Sequence, residues 1–153
     1  MPNKELVFQA QDESLVVITP EVADIFISYR QLEYSSHESA GVIIGERRGI
    51  HMVIRMVSEP GHSDIRNRFM VNRVSMHHQQ AVDDAFNKSK GAWQYLGEWH
   101  THPEDVPKPS RTDYSSWQKH LVSSEPLILI IVGRTDIWVG KKKNQKIEVL
   151  QQI

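Results

Sequence analysis

The apolar positions of the chain change period as it runs, and the changes mark its elements. Leu6-Val7-Phe8 and Leu15-Val16-Val17-Ile18 are short apolar runs about a polar turn at Gln11-Asp12-Glu13, and they predict two strands. Thr19-Pro20-Glu21 reads as a helix start, with Thr19 as N-cap, proline at the first helical position and an acid in the first turn. Val22, Ile25, Phe26, Tyr29 and Leu32 follow at helical spacing and predict one apolar face. The unbroken run Ala40 to Gly45 fits a strand covered on both faces, and Arg47-Arg48-Gly49 turns it into an antiparallel partner, His51 to Val57. Residues 58–72 are polar and predict a loop with a short strand at Arg68 to Val71. A second helix is predicted from Asn72 to about Ser89, with Val74, Ala81, Val82 and Ala85 as its stripe and Gly91 as its stop. The strand Trp93 to His102 comes next, then a helix from Ser110 to about Val122 carrying Tyr114, Trp117 and Leu121 on one side. Leu127 to Val132, Ile137 to Val139 and Ile147 to Leu150 complete the strands. Strands interleaved with helices predict an α/β fold in which a mixed sheet is covered on both faces, as one domain over residues 1–153.

Composition narrows the chemistry. Of the 153 residues 39% are hydrophobic and 24% charged, ordinary for a globular protein with a core of its own. A net charge of −1 gives no basic field for nucleic acid or an anionic membrane, so neither is expected as a partner. No stretch approaches the roughly 20 apolar residues of a membrane span, and Met1 to Ala10 lacks the apolar run of a signal peptide, so a cytoplasmic location is expected. The absence of cysteine rules out thiol catalysis and any Cys-ligated metal. A metal here must be held by nitrogen and oxygen.

The chemistry-bearing stretch is Gly97-Glu98-Trp99-His100-Thr101-His102-Pro103, continued by Pro109-Ser110-Arg111-Thr112-Asp113. Two histidines one residue apart on a strand project from one face. Pro103 stops the strand, Pro107 and Pro109 stiffen the turn, and Ser110 reads as the N-cap of a helix with Asp113 in its first turn. Two imidazoles and a carboxylate brought together this way, with one water, are the donor set of an open tetrahedral zinc site. The same residues also read more simply as two half-exposed strand histidines followed by a Ser-x-x-Asp capping box. Glu98 shares the strand parity of His100 and is a candidate general base or supporting group. His37 is expected to face away from the site, and His77 and His78 to be solvated. Trp93, Tyr95 and Trp99 are core aromatics or a groove wall.

Glu38-x-x-Gly41, His100-x-His102-Pro103 and Pro109-Ser110-x-x-Asp113 together resemble the JAMM motif of the JAB/MPN metalloprotease family, over about half the chain. The resemblance implies a cytidine-deaminase-like α/β/α sandwich and one Zn2+ per chain held by His100, His102 and Asp113. It implies Glu38 as general base and Ser110 as donor to the oxyanion. It further implies hydrolysis of peptide or isopeptide bonds after the tail of ubiquitin or a ubiquitin-like protein. Gly97-x-Trp99-His100-Thr101-His102-Pro103, with Trp117, most resembles the JAB proteins of bacterial anti-phage operons. Those reverse the conjugation of a cGAS-like nucleotidyltransferase, so the expected partner is a protein with an extended C-terminal tail. Two other enzyme types share the pattern: sulfur-carrier-processing JAB peptidases and the RadC type, from whose His-Asn-His-Pro-Ser-Gly run this chain departs at Thr101, Glu104 and Asp105. A non-catalytic MPN scaffold is the rival of another class, but scaffolds have usually lost motif residues and this chain has lost none.

Overall fold

A computed structural model describes residues 4–33, 35–61, 65–66, 71–72 and 76–153. In chain order the elements are β1 (Leu6–Gln9), β2 (Leu15–Ile18), α1 (Pro20–Ser28), β3 (Ala40–Arg48), β4 (His51–Val57), β5 (Ile65–Arg66) and β6 (Val71–Asn72). Then come α2 (His77–Lys88), β7 (Gln94–Thr101), α3 (Arg111–His120), β8 (Leu127–Val132), β9 (Ile137–Lys143), β10 (Lys146–Val149) and β11 (Gln151–Gln152). Nine strands form one mixed sheet in the order β10-β9-β8-β7-β3-β4-β2-β1-β11, and β5 pairs with β6 separately. The β2–β4 and β7–β8 pairs are parallel, and the others in the large sheet are antiparallel.

Side-chain alternation along β8 divides the core. Ile128, Ile130 and Val132 pack on one face with Val22, Ala23 and Phe26 of α1. Leu127, Leu129 and Ile131 face the other way, against Trp117 and Leu121 at the end of α3. Ala85 of α2 covers Val42 and Ile44 on that second face. Both faces of β8 are therefore apolar, and its six residues are all buried, as its continuous hydrophobic run requires. The helices lie on both faces of the mixed sheet, the α/β/α layering expected.

The two margins of the sheet meet through the C-terminal strand. β10 pairs with β9 at one margin and β11 with β1 at the other, yet only Leu150 separates them. Since successive Cα atoms are about 3.8 Å apart, the sheet must curl until its margins are neighbours. Leu150 donates its amide to Val139 and buries its side chain in the core. No hydrophobic pattern announces β11, which is two glutamines.

Several boundaries differ from the sequence expectations. α1 ends at Ser28, so Leu32 is not on its face and is 58% exposed. Thr19 precedes the helix in extended conformation, but its hydroxyl makes no capping bond. α2 begins at His77 rather than Asn72, and α3 ends at His120, leaving Val122 exposed. Of the strand expected at Arg68 to Val71, residues 68–70 lie outside the described residues, as does Val74, and Val71 opens β6. Among the described residues, no helix is long and apolar enough to cross a membrane.

Gly97 makes β7 possible. Its φ is +150°, and a Cβ there would sit 1.8 Å from the carbonyl oxygen of Ile128 on the adjoining strand. The β3–β7 register shifts between Ile43 and Ile44, opposite Gly97 and Tyr95. The irregularity re-phases the strand so that Leu96 and Trp99 both point into the core shared with α1. Gly97→Ala is expected to cost at least about 2 kcal/mol, read as a lowered urea midpoint at unchanged m-value.

Candidate functional site

The site forms where β7 leaves the sheet. His100 lies opposite Ala40 of β3 and beside Ile131 of β8. His102 follows the strand end and continues the ladder, donating its amide to Val132 O at 3.0 Å. The next seven residues turn the chain outward and back to α3. That turn is clamped to the β8–β9 connection: Arg134 N–H donates to Glu104 O at 2.7 Å, and Thr135 and Asp136 amides donate to Asp105 O. An Arg134–Asp105 ion pair at 2.9 Å closes the clamp from outside.

At the start of α3, Ser110 Oγ accepts the Asp113 amide at 3.0 Å and Asp113 Oδ2 accepts the Ser110 amide at 2.8 Å. The capping box is therefore real, and it does not compete with the convergence of the ligand candidates. Holding Asp113 by its own backbone aims its carboxylate at the histidines: Oδ1 is 3.3 Å from His100 Nε2 and Oδ2 3.1 Å from His102 Nε2. The two Nε2 atoms are themselves 3.1 Å apart. Glu38 reaches the same point from the segment before β3, and one ligand atom each from Glu38, His100 and His102 lies within 4.8 Å of the others. All five residues expected to form the site are thus brought to one corner, with Ser110 exposed at its rim.

The electrostatics follow from burial. Burial pushes the Glu38 carboxyl up to about 8, with the charge of Asp113 adding to the shift and His102 opposing it. Burial acts the same way on Asp113, but hydrogen bonds from both histidines outweigh it and hold that carboxyl well below the usual carboxylate range. Burial disfavours a charged His102, yet hydrogen bonding and attraction to Asp113, with Glu104 behind, keep its pKa above the ordinary value. Glu104 accepts from His102 Nδ1 at 3.0 Å, so Nε2 is the nitrogen turned into the site. Glu104 is the group that sequence reasoning missed, although a carboxylate two residues beyond a ligand candidate is a usable signal.

The donors fit a bound cation. The two Nε2 atoms that give hydrogens to Asp113 in the metal-free protein would turn lone pairs to the same point once those protons leave. Glu38 Oε2 is buried and has no hydrogen-bond partner among the described residues. A divalent ion would engage the lone pairs together and favour the charged form of Glu38.

Of the remaining sequence candidates, Glu98 is buried beside Tyr95 Oη at 3.4 Å and does not enter the ligand group. His37 is exposed, as expected. His78 is not solvated. It is buried with Nδ1 2.5 Å from Ser58 Oγ, a pairing that needs the distant end of β4 and is invisible in local sequence. His77 Nε2 approaches Glu59 O at 2.5 Å. Trp99 is core, its ring tilted against those of Phe26 and Tyr29, and its indole N–H donates to Ser58 O.

Residues 21–147 match the family of prokaryotic homologs of the JAB domain. The chain belongs to this family. Two curated relatives, each named CD-NTase/cGAS isopeptidase, are similar over essentially their whole length. One, from Vibrio cholerae serotype O1, is 52% identical over 153 residues, covering 100% of this chain and 98% of the relative. The other, from Escherichia coli, is 52% identical over 152 residues, covering 99% and 97%. The solution structure of a protein from Desulfitobacterium hafniense shares the fold of this JAB domain, with a TM-score of 0.57 at 19% identity, covering 86% of this chain and 87% of that one.

Burial of Glu38 has a consequence for the metal-stripped JAB domain. Between pH 4.5 and 8 the native state holds a proton on Glu38 that the unfolded chain has released, so stability falls as pH rises through that window. His102, also raised, acts in the same direction, whereas the contribution of Asp113 is already complete at the lower end. Urea unfolding in chelator should show Glu38→Gln removing up to about 1 kcal/mol per pH unit of this slope. An unchanged slope would contradict the buried, protonated Glu38.

Proposed function

We propose that this JAB domain is a zinc-dependent isopeptidase. Its reaction is hydrolysis of the amide joining the C-terminal tail of a cGAS-like nucleotidyltransferase to another protein. It would thereby reverse a ubiquitin-like conjugation in anti-phage defence, acting in the cytoplasm. The observation that carries the reading is the convergence of His100, His102 and Asp113 with Glu38 buried alongside. Full-length similarity to relatives named CD-NTase/cGAS isopeptidase supports the substrate class.

His100 and His102 through Nε2, and Asp113 through its carboxylate, would hold the zinc. The two Nε2 atoms are 3.1 Å apart and lie 3.3 and 3.1 Å from Oδ1 and Oδ2 of Asp113, close enough for one ion with ligands at about 2.0–2.1 Å to be shared. When bound, zinc supplies a Lewis acid and lowers the pKa of water to about 7. Glu38 Oε2, unpartnered and beside the histidines, takes the proton of the attacking water and delivers it to the leaving amine nitrogen. Ser110 Oγ already accepts the Asp113 amide, which leaves its hydroxyl hydrogen to donate to the developing oxyanion, worth roughly 2.7–4 kcal/mol. Glu104 holds the tautomer of His102, and the clamped 103–109 turn holds Asp113 and Ser110 in place.

The test uses a cGAS-like nucleotidyltransferase fused or amide-linked through its tail to a reporter protein, with a sulfur-carrier fusion and nicked DNA as controls. Release at the tail junction of the first substrate alone is expected. Glu38→Ala should slow it by about 10²–10⁴-fold, and Glu98→Ala by far less. Release of a terminal amino acid from the sulfur carrier instead would reassign the substrate. Reversed effects of the two substitutions would make Glu98 the base.

A further inference from the structure

Glu38 belongs to no regular element: β3 begins at Ala40, and the preceding segment runs back to the end of α1. Oε2 of its carboxylate is buried with no hydrogen-bond partner among the described residues, so no hydrogen bond at that oxygen holds it. Something else must fix its position. The residue between the two histidines is hydrogen-bonded to the segment that carries Glu38. Thr101 alternates to the opposite face from His100 and His102 and is fully buried. Its Oγ1 accepts the Ser39 amide at 2.9 Å and donates to Gln31 Oε1 at 2.8 Å, while its own amide donates to Ser39 O at 2.9 Å. Gln31, also fully buried, donates from Nε2 to Ser36 O at 3.2 Å. The chain therefore binds both sides of Glu38, at Ser36 and Ser39, to the residue flanked by the two imidazoles.

We infer that Thr101 and Gln31 are positioning residues for Glu38, setting its carboxylate at a fixed distance from His100 and His102 through a buried hydrogen-bond chain. A purely packing role would be met equally by valine at position 101, which has the shape of threonine. Valine, however, would remove the hydroxyl that accepts the Ser39 amide and donates to Gln31 Oε1, and with it both bonds of the buried chain. Serine would keep the hydroxyl and lose only a methyl. The inference rests on Glu38 carrying the proton, as proposed above, but the geometric part is testable without a substrate.

Thr101→Val is the main test, with Gln31→Met approaching the chain from its other end. In crystal structures of the variants, Glu38 should be displaced by about 1 Å or more while His100 and His102 stay in place, because a shift of that size is enough to cost about 10²-fold in rate. With the tail-linked conjugate, metal content should be unchanged and KM within about twofold, while kcat falls about 10- to 100-fold for Thr101→Val and less for Gln31→Met. Thr101→Ser should restore kcat to within about threefold of wild type, since the hydrogen bonds persist. In a Glu38→Gln background, Thr101→Val should lower kcat no further, as expected of two residues acting through one group. An unmoved Glu38, a kcat close to wild type, loss of metal with Thr101→Val, or an equal loss in the Glu38→Gln background would each overturn the inference. If Glu38→Gln alone left the rate intact, the proton-carrying role would fail instead, and positioning for catalysis with it. If the conjugate is not cleaved by any form of the protein, the substrate assignment fails and the crystallographic arm decides the geometry on its own.

Discussion

Ala40 stands opposite His100 in the antiparallel ladder between β3 and β7, and the whole site depends on that register. It places the segment before β3, and with it Glu38, beside a histidine that lies far along the chain. A slip by one residue would turn His100 into the core and Trp99 out of it, because strand side chains alternate. Two glycines permit the pairing at this closeness. A Cβ on Gly97 would strike Ile128 O, and one on Gly41 would lie 2.1 Å from Ser58 O and 2.7 Å from Trp99 Nε1. The third side of the site is set independently, by the capping box of α3 and the clamp between Asp105 and Arg134. Rigid strands supply the imidazoles, a capped helix end supplies the carboxylate, and a hydrogen-bonded loop supplies the glutamate.

Placing four polar side chains beside Trp117 and the apolar sheet face of Leu129 and Ile131 is costly unless their charges are organised. The two carboxylates divide under the same burial. Asp113 gains hydrogen bonds from both histidines and from the Ser110 amide, so it stays ionised. Glu38 Oε2 has no such bond among the described residues, and burial favours a proton on Glu38 in the metal-free protein, which is the condition of a group whose pKa a nearby cation would then set. Such separation of two nearby carboxyls by environment is what acid–base chemistry at neutral pH requires.

The local part of this arrangement was legible in the sequence. His100, His102, Ser110 and Asp113 lie within fourteen residues, so strand parity, a proline stop and a helix cap suffice to predict their convergence. The apolar run of β8, the β3–β4 hairpin and the start of α1 at Pro20 were equally plain, because periodicity and turn residues act locally. Glu38 was different. No spacing connects it to His100, and only the family resemblance pointed to it. His78 was misread as solvated because its partner, Ser58, comes from another element. The closing strand β11 and the Gln31–Thr101–Ser39 chain were hidden for the same reason: backbone pairing of polar residues and long-range side-chain bonds leave no hydrophobic pattern.

In the proposed site two imidazoles and one carboxylate hold a single zinc while Glu38 stands beside it unligated. Elemental analysis of the purified wild-type protein, His102→Ala and Glu38→Gln tests this most directly, since removing a ligand empties an open three-ligand site and removing a proton carrier does not. One zinc per chain is expected in the wild type and in Glu38→Gln, and its loss is expected from His102→Ala. Stoichiometric zinc in His102→Ala, or its loss from Glu38→Gln, would contradict it.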